Sequence, residues 1–313
     1  MNSGRHLRTS AVTALAPAIW GSTYLVTTQW LPPDRPLLAT TVRALPSGLV
    51  LLLMSRVLPK GAWAWRSLVL GTLNIGAFNL LLFVAAYRLP GGVAAMIMAA
   101  QPMIVLVLAA LVLGDRAGVV QVLACALGAA GVVLLVFRGS TALDPVGVLA
   151  ALGGAACMAT GITFTKRWGR PEGVGLLPFT GWQLTAGGLV SLPFTLSVEG
   201  LPHSLTGGNV LGFGYLIVFG AVISYALWFR GIGELPAVAV SFLALGSPVV
   251  ATILGIAFAG ETFSVLQTVG ILVVLVAVVL AQPRPPRRPG AVAQKPAAAA
   301  KPAAADAPAP THT

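Results

Sequence analysis

Residues 88–121 read RLPGGVAAMIMAAQPMIVLVLAALVLGDRAGVVQ, and residues 234–267 read ELPAVAVSFLALGSPVVATILGIAFAGETFSVLQ. The second stretch restates the first without a gap. Arg88-Leu89-Pro90 becomes Glu234-Leu235-Pro236, Pro102 becomes Pro248, Gly114-Asp115 becomes Gly260-Glu261 and Gln121 becomes Gln267, each pair 146 residues apart. Small apolar residues coincide easily, but a register held across three loops is not such a coincidence. A looser match at a spacing of 140 aligns Arg43 with Gln183 and Gly48-Leu49-Val50 with Gly188-Leu189-Val190. The chain therefore reads as two tandem copies of one unit.

Composition says what the unit is made for. Of the 313 residues, 57% are hydrophobic and 9% are charged, with a mean hydropathy of +0.91. Soluble domains carry about 25% charged residues, so this chain cannot cover a water-facing surface and its solvent is lipid. Crossing the hydrocarbon core takes about 20 apolar residues. Such runs lie at 9–29, 36–58, 65–87, 91–113, 118–137, 144–166, 176–198, 209–230, 236–258 and 263–281. The expected fold is an all-α membrane protein of ten transmembrane helices. Its expected parts are an N-terminus at 1–8, five-helix repeats at 9–137 and 144–281, and a basic, disordered Ala/Pro-rich tail at 282–313. The first run resembles a signal peptide in its flanking Arg5 and Arg8, but Ala14-Leu15-Ala16 falls too early for a cleavage site, so a retained helix is expected.

The net charge of +11 does not point to nucleic acid, because Lys and Arg sit in short clusters between spans and in the tail. With the N-terminus in the cytoplasm, fifteen basic residues fall inside and three (Arg35, Arg88 and Arg138) outside, the asymmetry that sets topology in bacterial inner membranes. Five spans per copy is an odd number, so the second copy enters the membrane from the opposite side. Inverted repeats of this kind enclose a site near the midplane in secondary transporters, and rocking exposes it to each side in turn.

Several stretches resemble a known family. Ile19-Trp20-Gly21-Ser22-Thr23, Arg43-Ala44 and the repeated Leu-Pro and Gly-acidic boundaries are similar to the EamA-type ten-helix transporters of the drug/metabolite transporter superfamily. Leu31-Pro32-Pro33-Asp34-Arg35-Pro36 and Ala85-Ala86-Tyr87-Arg88-Leu89-Pro90 look more narrowly like its PecM-type branch, which is associated with export of a blue pigment. The resemblance implies efflux of amino acids, a pigment or similar small amphipathic metabolites from the bacterial cytoplasm.

Arg43 is the lone charge set well inside a span rather than at its end, about seven residues or roughly 10 Å from its start. An intramembrane charge costs about 2.5–3.5 kcal/mol on insertion scales, so it is expected to face a wet cavity or a partner, and an anionic group of the substrate fits that role. Snorkelling outward is the bland alternative. Polar and aromatic residues expected to join it are Trp20, Tyr24, Asn79, Gln101, Thr160, Trp182, Gln183, Tyr225 and Ser247, with interhelical hydrogen bonding as the bland alternative for each. Pro102 and Pro248 are expected to kink matched spans. All eight acidic residues lie in loops, at helix ends or in the tail, which argues for downhill efflux rather than proton antiport. Asp115 and Glu261 read as first-turn charges of the fifth and tenth helices. Cys125 and Cys157 have no second Cys or His at ligand spacing, and no nucleophile, metal or phosphate-loop motif is present. No catalytic residue, cofactor or metal is therefore expected. The partners expected are a small-molecule substrate and the bilayer, and a monomer is compatible with this. The competing function is a membrane-embedded sensor or regulator without transport.

Overall fold

The computed structural model describes residues 3–114, 118–136, 143–234, 243–244 and 246–281, and every element among them is helical. The tail, Asp115 and the Leu235-Pro236 boundary lie outside the described residues. In chain order the elements are α1 (Ser3–Trp30), α2 (Pro36–Ser55), α3 (Ala62–Gly71), π1 (Thr72–Ala77), α4 (Phe78–Arg88), α5 (Gly91–Met98), α6 (Gln101–Leu113) and α7 (Val119–Val136). They continue as α8 (Pro145–Trp168), α9 (Leu176–Phe194), π2 (Thr195–Glu199), α10 (Gly207–Ile217), π3 (Val218–Ile223), α11 (Ser224–Glu234), α12 (Gly246–Ala259) and α13 (Val265–Ala281).

Among the described residues, five segments are long and apolar enough to cross a membrane: Pro36–Ser55, Ala62–Arg88, Gly91–Leu113, Pro145–Trp168 and Gly207–Trp228. Val119–Leu134, Gly246–Ala259 and Val265–Leu280 are shorter apolar helices. Their outward faces carry large apolar side chains, with Val265 83% and Leu111 77% exposed. A soluble monomer rarely exposes apolar patches on this scale.

The 146-residue register reappears in the backbone. π1 at 72–77 and π3 at 218–223 stand at that spacing at both ends, as do α4 and α11, whose first residues are Phe78 and Ser224. A π turn inserts one residue into a helix and leaves carbonyls outside the regular ladder. Packing follows the same pairing. Helix α2 lies along α9, and α7 lies along α13. Helix α1 packs on α11 and α12, while α8 packs on the elements that match those two, α4 and α6.

Close approach of α2 and α9 depends on glycine. A Cβ added at Gly188 would stand 2.7 Å from the backbone nitrogen of Leu45, and one at Gly48 would stand 2.9 Å from the carbonyl carbon of Leu184. Membrane helices lack a hydrophobic drive to associate, and small residues let backbones meet.

Near Pro102 the span is interrupted rather than bent. Helix α5 ends at Met98, and α6 starts at Gln101 with Pro102 in its first turn, where a missing N–H is harmless. Pro248 stands at the equivalent place near the start of α12 and is buried.

Three acids cap helices, two of them at a distance. The Glu199 carboxylate accepts from Leu37 N–H (2.7 Å) and Leu38 N–H (2.8 Å), capping α2, and Arg35 Nη1 donates to the carbonyls of Glu199 and Gly200. Glu261 accepts from the N–H groups of Gly91 and Gly92 and so caps α5. This differs from the first-turn role read from sequence, because the orphan donors that Glu261 meets belong to a helix 170 residues away. Asp144 caps its own helix α8 and pairs with Arg88 at 2.9 Å. The Arg88 guanidinium and the N–H groups of Val146 and Gly147 hold its carboxyl below the usual carboxylate range.

Candidate functional site

Three elements converge on Arg43. Helix α1 presents Trp20, Ser22 and Tyr24 within a few residues, α2 presents Arg43 itself, and the α10–π3–α11 span presents Tyr215, Gly220 and Tyr225. The Arg43 side of α2 is buried, with 6% of the residue exposed. Its Nη2 donates to the carbonyl of Gly220 at 3.3 Å. The Nη1 group is buried and has no hydrogen-bond partner among the described residues. The phenols of Tyr225, Tyr24 and Tyr215 are its electrostatic neighbours.

Gly220 lies in π3, and its carbonyl also accepts from Trp20 Nε1 at 3.2 Å and Ser224 Oγ at 2.9 Å. Aromatic edges close the surroundings: Trp20 meets Tyr225 and Trp228 in T-shaped contacts with centroids 5.6 and 5.4 Å apart. On one flank Ser22 Oγ and Tyr215 OH are 2.6 Å apart, and on the other Tyr24 OH donates to Met98 Sδ at 3.3 Å. The result is a buried cation with one donor group unspent, ringed by amphipathic aromatics. Such a place can accept an anionic or strongly polarised oxygen attached to an apolar body.

Of the residues picked from sequence, Arg43, Trp20, Tyr24 and Tyr225 come together here. The backbone of Ser247 packs on Gly21, beside Trp20. Gln183 does not join them; its Oε1 accepts from Asn74 Nδ2 at 2.7 Å inside π1. That link is nonetheless the counterpart of the first. Gln183 follows Arg43 by 140 residues and Gly220 follows Asn74 by 146, so each α2-type helix reaches the π turn of the other copy. Thr160 bonds back to the Ala156 carbonyl in its own helix, and Trp182 Nε1 donates to the Val57 carbonyl at 2.6 Å. Asn79 is buried in α4, and Gln101 is half-buried at the start of α6. Tyr215 and Gly220 escaped the sequence reading, and Ser22 entered it only within the family motif. Tyr215 stands 193 residues from Ser22, and nothing in the sequence announces the π turn that holds Gly220.

At the end where Arg35, Arg88, Asp144 and Glu199 gather, an open cavity of about 1030 Å³ lies between α2, α4, α8 and π2, with Leu80, Val84 and Tyr87 on its wall. It is a vestibule rather than part of the Arg43 cluster, for Arg43 does not line it.

A helical membrane protein with a buried, polar-aromatic centre is the class that this fold and site define. The chain belongs to the EamA-like transporter family, whose model matches residues 9–137 and again 145–281. It is 45% identical to Protein PecM of Dickeya dadantii over 85% of this chain and 90% of that protein. It is 30% identical to the Escherichia coli K12 protein described as an uncharacterized inner membrane transporter, YedA, over 84% of this chain and 86% of that one. A WAT1-related chloroplastic protein of Arabidopsis thaliana is 31% identical over 83% of this chain and 66% of its own length. A crystal structure of another protein superposes with a TM-score of 0.61 at 19% identity, covering 88% of this chain and 98% of that chain, and shares the fold.

Proposed function

We propose that this chain is a secondary transporter that exports a small amphipathic metabolite, an amino acid, a pigment or a similar compound, across the bacterial cytoplasmic membrane. Ten spans form two inverted five-helix repeats, at 9–137 and 144–281, and alternate access to the Arg43 cluster. The observation that carries the reading is the Arg43–Gly220 link with its mate, Gln183–Asn74. Two copies related by a two-fold exchange would produce this cross-wise pairing and the matched packing of α1 on α11 and α8 on α4. A shared geometry with unequal chemistry, charged in Arg43 and neutral in Gln183, leaves a single cationic anchor for an anionic group.

Both termini are proposed to be cytoplasmic. The end that holds Arg35, Arg88, Asp144, Glu199 and Glu261 then faces outward. Efflux runs downhill, since all eight acids lie in loops, at helix ends or in the tail, and Asp144, Glu199 and Glu261 are engaged in helix caps. The substrate is held by Arg43 Nη1 through an anionic or polarised oxygen and by Trp20, Tyr24 and Tyr225 through its apolar body. Hydrogen bonds to a charged group contribute about 1.5–3 kcal/mol, or roughly ten- to a hundredfold in transport. Arg43→Gln should lower export from loaded vesicles by that factor with membrane abundance unchanged, and Arg43→Lys should restore part of it. Normal export by Arg43→Gln would sink the assignment. Substrate accumulation in vesicles given a pH gradient and no substrate gradient would contradict downhill efflux.

A further inference from the structure

At the end opposite the vestibule, six aromatic side chains gather around one arginine. The Arg66 guanidinium carbon lies 5.3 Å from the ring centre of Trp63, 5.6 Å from that of Trp168 and 5.7 Å from that of Trp65. Trp65 and Trp168 meet edge-on at 5.1 Å, Phe164 stacks on Trp168 at 5.3 Å, and Trp63 leans on Phe179 at 5.6 Å. Trp182 completes the group through Phe179 and ties it to the chain at Val57. These residues come from α3, α8 and α9, so the cluster joins the two segments that the family model matches separately.

The caged arginine is short of partners. Its Nε is buried without a hydrogen bond, and among the described residues the side chain makes neither a hydrogen bond nor an ion pair. Three indole faces hold a planar cation by its quadrupole interaction but satisfy none of its N–H groups. The Nη edge is therefore the outlet for those donors, and a fork of this shape matches the oxygens of a phosphodiester. The surroundings add positive charge. Arg56, Lys60, Lys166, Arg167 and Arg170 are all exposed on the adjoining turns, and Glu172 is the one acid among residues 56–66 and 164–172. Below the cage, the surface turns apolar and faces lipid: Trp65 is 51% exposed, Leu68 48% and Ile162 37%. A polar fork set above an apolar track fits a molecule with a phosphate at one end and acyl chains at the other.

We propose that Arg66 and its three tryptophans form a headgroup site for an anionic phospholipid, seated across α3 and α8 at the membrane interface. The charged headgroup takes the Nη edge, the indoles lie at headgroup level as tryptophans do in membrane interfaces, and the acyl chains follow Trp65, Leu68 and Ile162. This site is separate from Arg43 and stands or falls independently of what Arg43 binds.

The test uses the full chain purified in detergent and offered phosphatidylglycerol and phosphatidylcholine with identical acyl chains, with retained lipid counted by native mass spectrometry. Wild type should retain phosphatidylglycerol at least fivefold over phosphatidylcholine. R66Q should bring that ratio to about one, and W168L should at least halve it. R170Q removes the same charge from an exposed position and should leave most of the preference intact. Equal retention of the two lipids by wild type overturns the proposal, as does an undiminished ratio in folded R66Q. Should R66Q not yield monodisperse protein, an undiminished ratio in W168L, or a loss in R170Q as large as in W168L, overturns it instead.

Discussion

Single residues divide here into those that hold the fold and those left with capacity to spare, and two tryptophans show the difference. Trp182 spends its N–H on the Val57 carbonyl at 2.6 Å and is 3% exposed, so Trp182→Leu should lower thermal stability in detergent by about 2–4 kcal/mol and leave the substrate dependence of transport unchanged. Trp20 is half-buried, shares the Gly220 carbonyl with Arg43 and edges Tyr225, so Trp20→Leu should weaken apparent substrate affinity severalfold in the same assays. A melting curve paired with a transport curve separates the two outcomes. Asp144 behaves differently again. Its carboxyl titrates below the usual range because Arg88 and the α8 N–H groups favour the charged form. Stability from that preference is present above the unfolded carboxylate pKa of about 3.9 and is lost as pH falls through the lower folded value. Thermal melts of wild type and Asp144→Asn should therefore differ at neutral pH and converge in acid, and a constant gap would contradict the account.

At the level of helices, the interrupted and π-turned spans are where the chain departs from simple cylinders. Apolar runs and the 146-residue register were legible because lipid imposes length and hydropathy on each span and duplication imposes spacing. Arg43 was legible because charge in hydrocarbon is costly. The π turns were not, since an i→i+5 bond depends on one inserted residue and has no composition of its own. Both cross-copy links sit on them: the Gly220 carbonyl meets donors on α1 and α2, and the Asn74 amide donates to its acceptor on α9. Caps supplied from 160 or more residues away were equally hidden, and sequence proximity assigned Glu261 to the wrong helix. Element-level tests follow from these same features. Removing the Glu261 carboxylate by Glu261→Gln leaves the first N–H groups of α5 without their anionic cap and should cost about 1–2 kcal/mol by melting temperature. Gly188→Leu forces the α2–α9 crossing apart and should reduce folded protein in the membrane severely, beyond the usual 1–3 kcal/mol of overpacking, because the obstruction is the Leu45 backbone.

For the whole molecule, many of the polar links run between the two halves of the chain: Arg35 and α2 to Glu199, Arg88 to Asp144, α5 to Glu261, Arg43 to Gly220 and Asn74 to Gln183. Segments 1–140 and 141–313 expressed as separate polypeptides should therefore recover transport only when both are present, and export by either alone would refute the two-copy mechanism. The proposed orientation has its own check. A cysteine placed at His203 should react with an impermeant thiol reagent added to intact cells, and one at Glu172 should not; both side chains are exposed in loops. The distant caps also reach into biosynthesis. The donors at the start of α2 and α5 precede Glu199 and Glu261 by 162 and 170 residues. At about 5–20 residues per second of translation, each helix waits on the order of 10–30 s for its cap. A ribosome that stalls after the first segment thus leaves an orphan in the bilayer with bare helix ends, the kind of intermediate on which membrane proteases act.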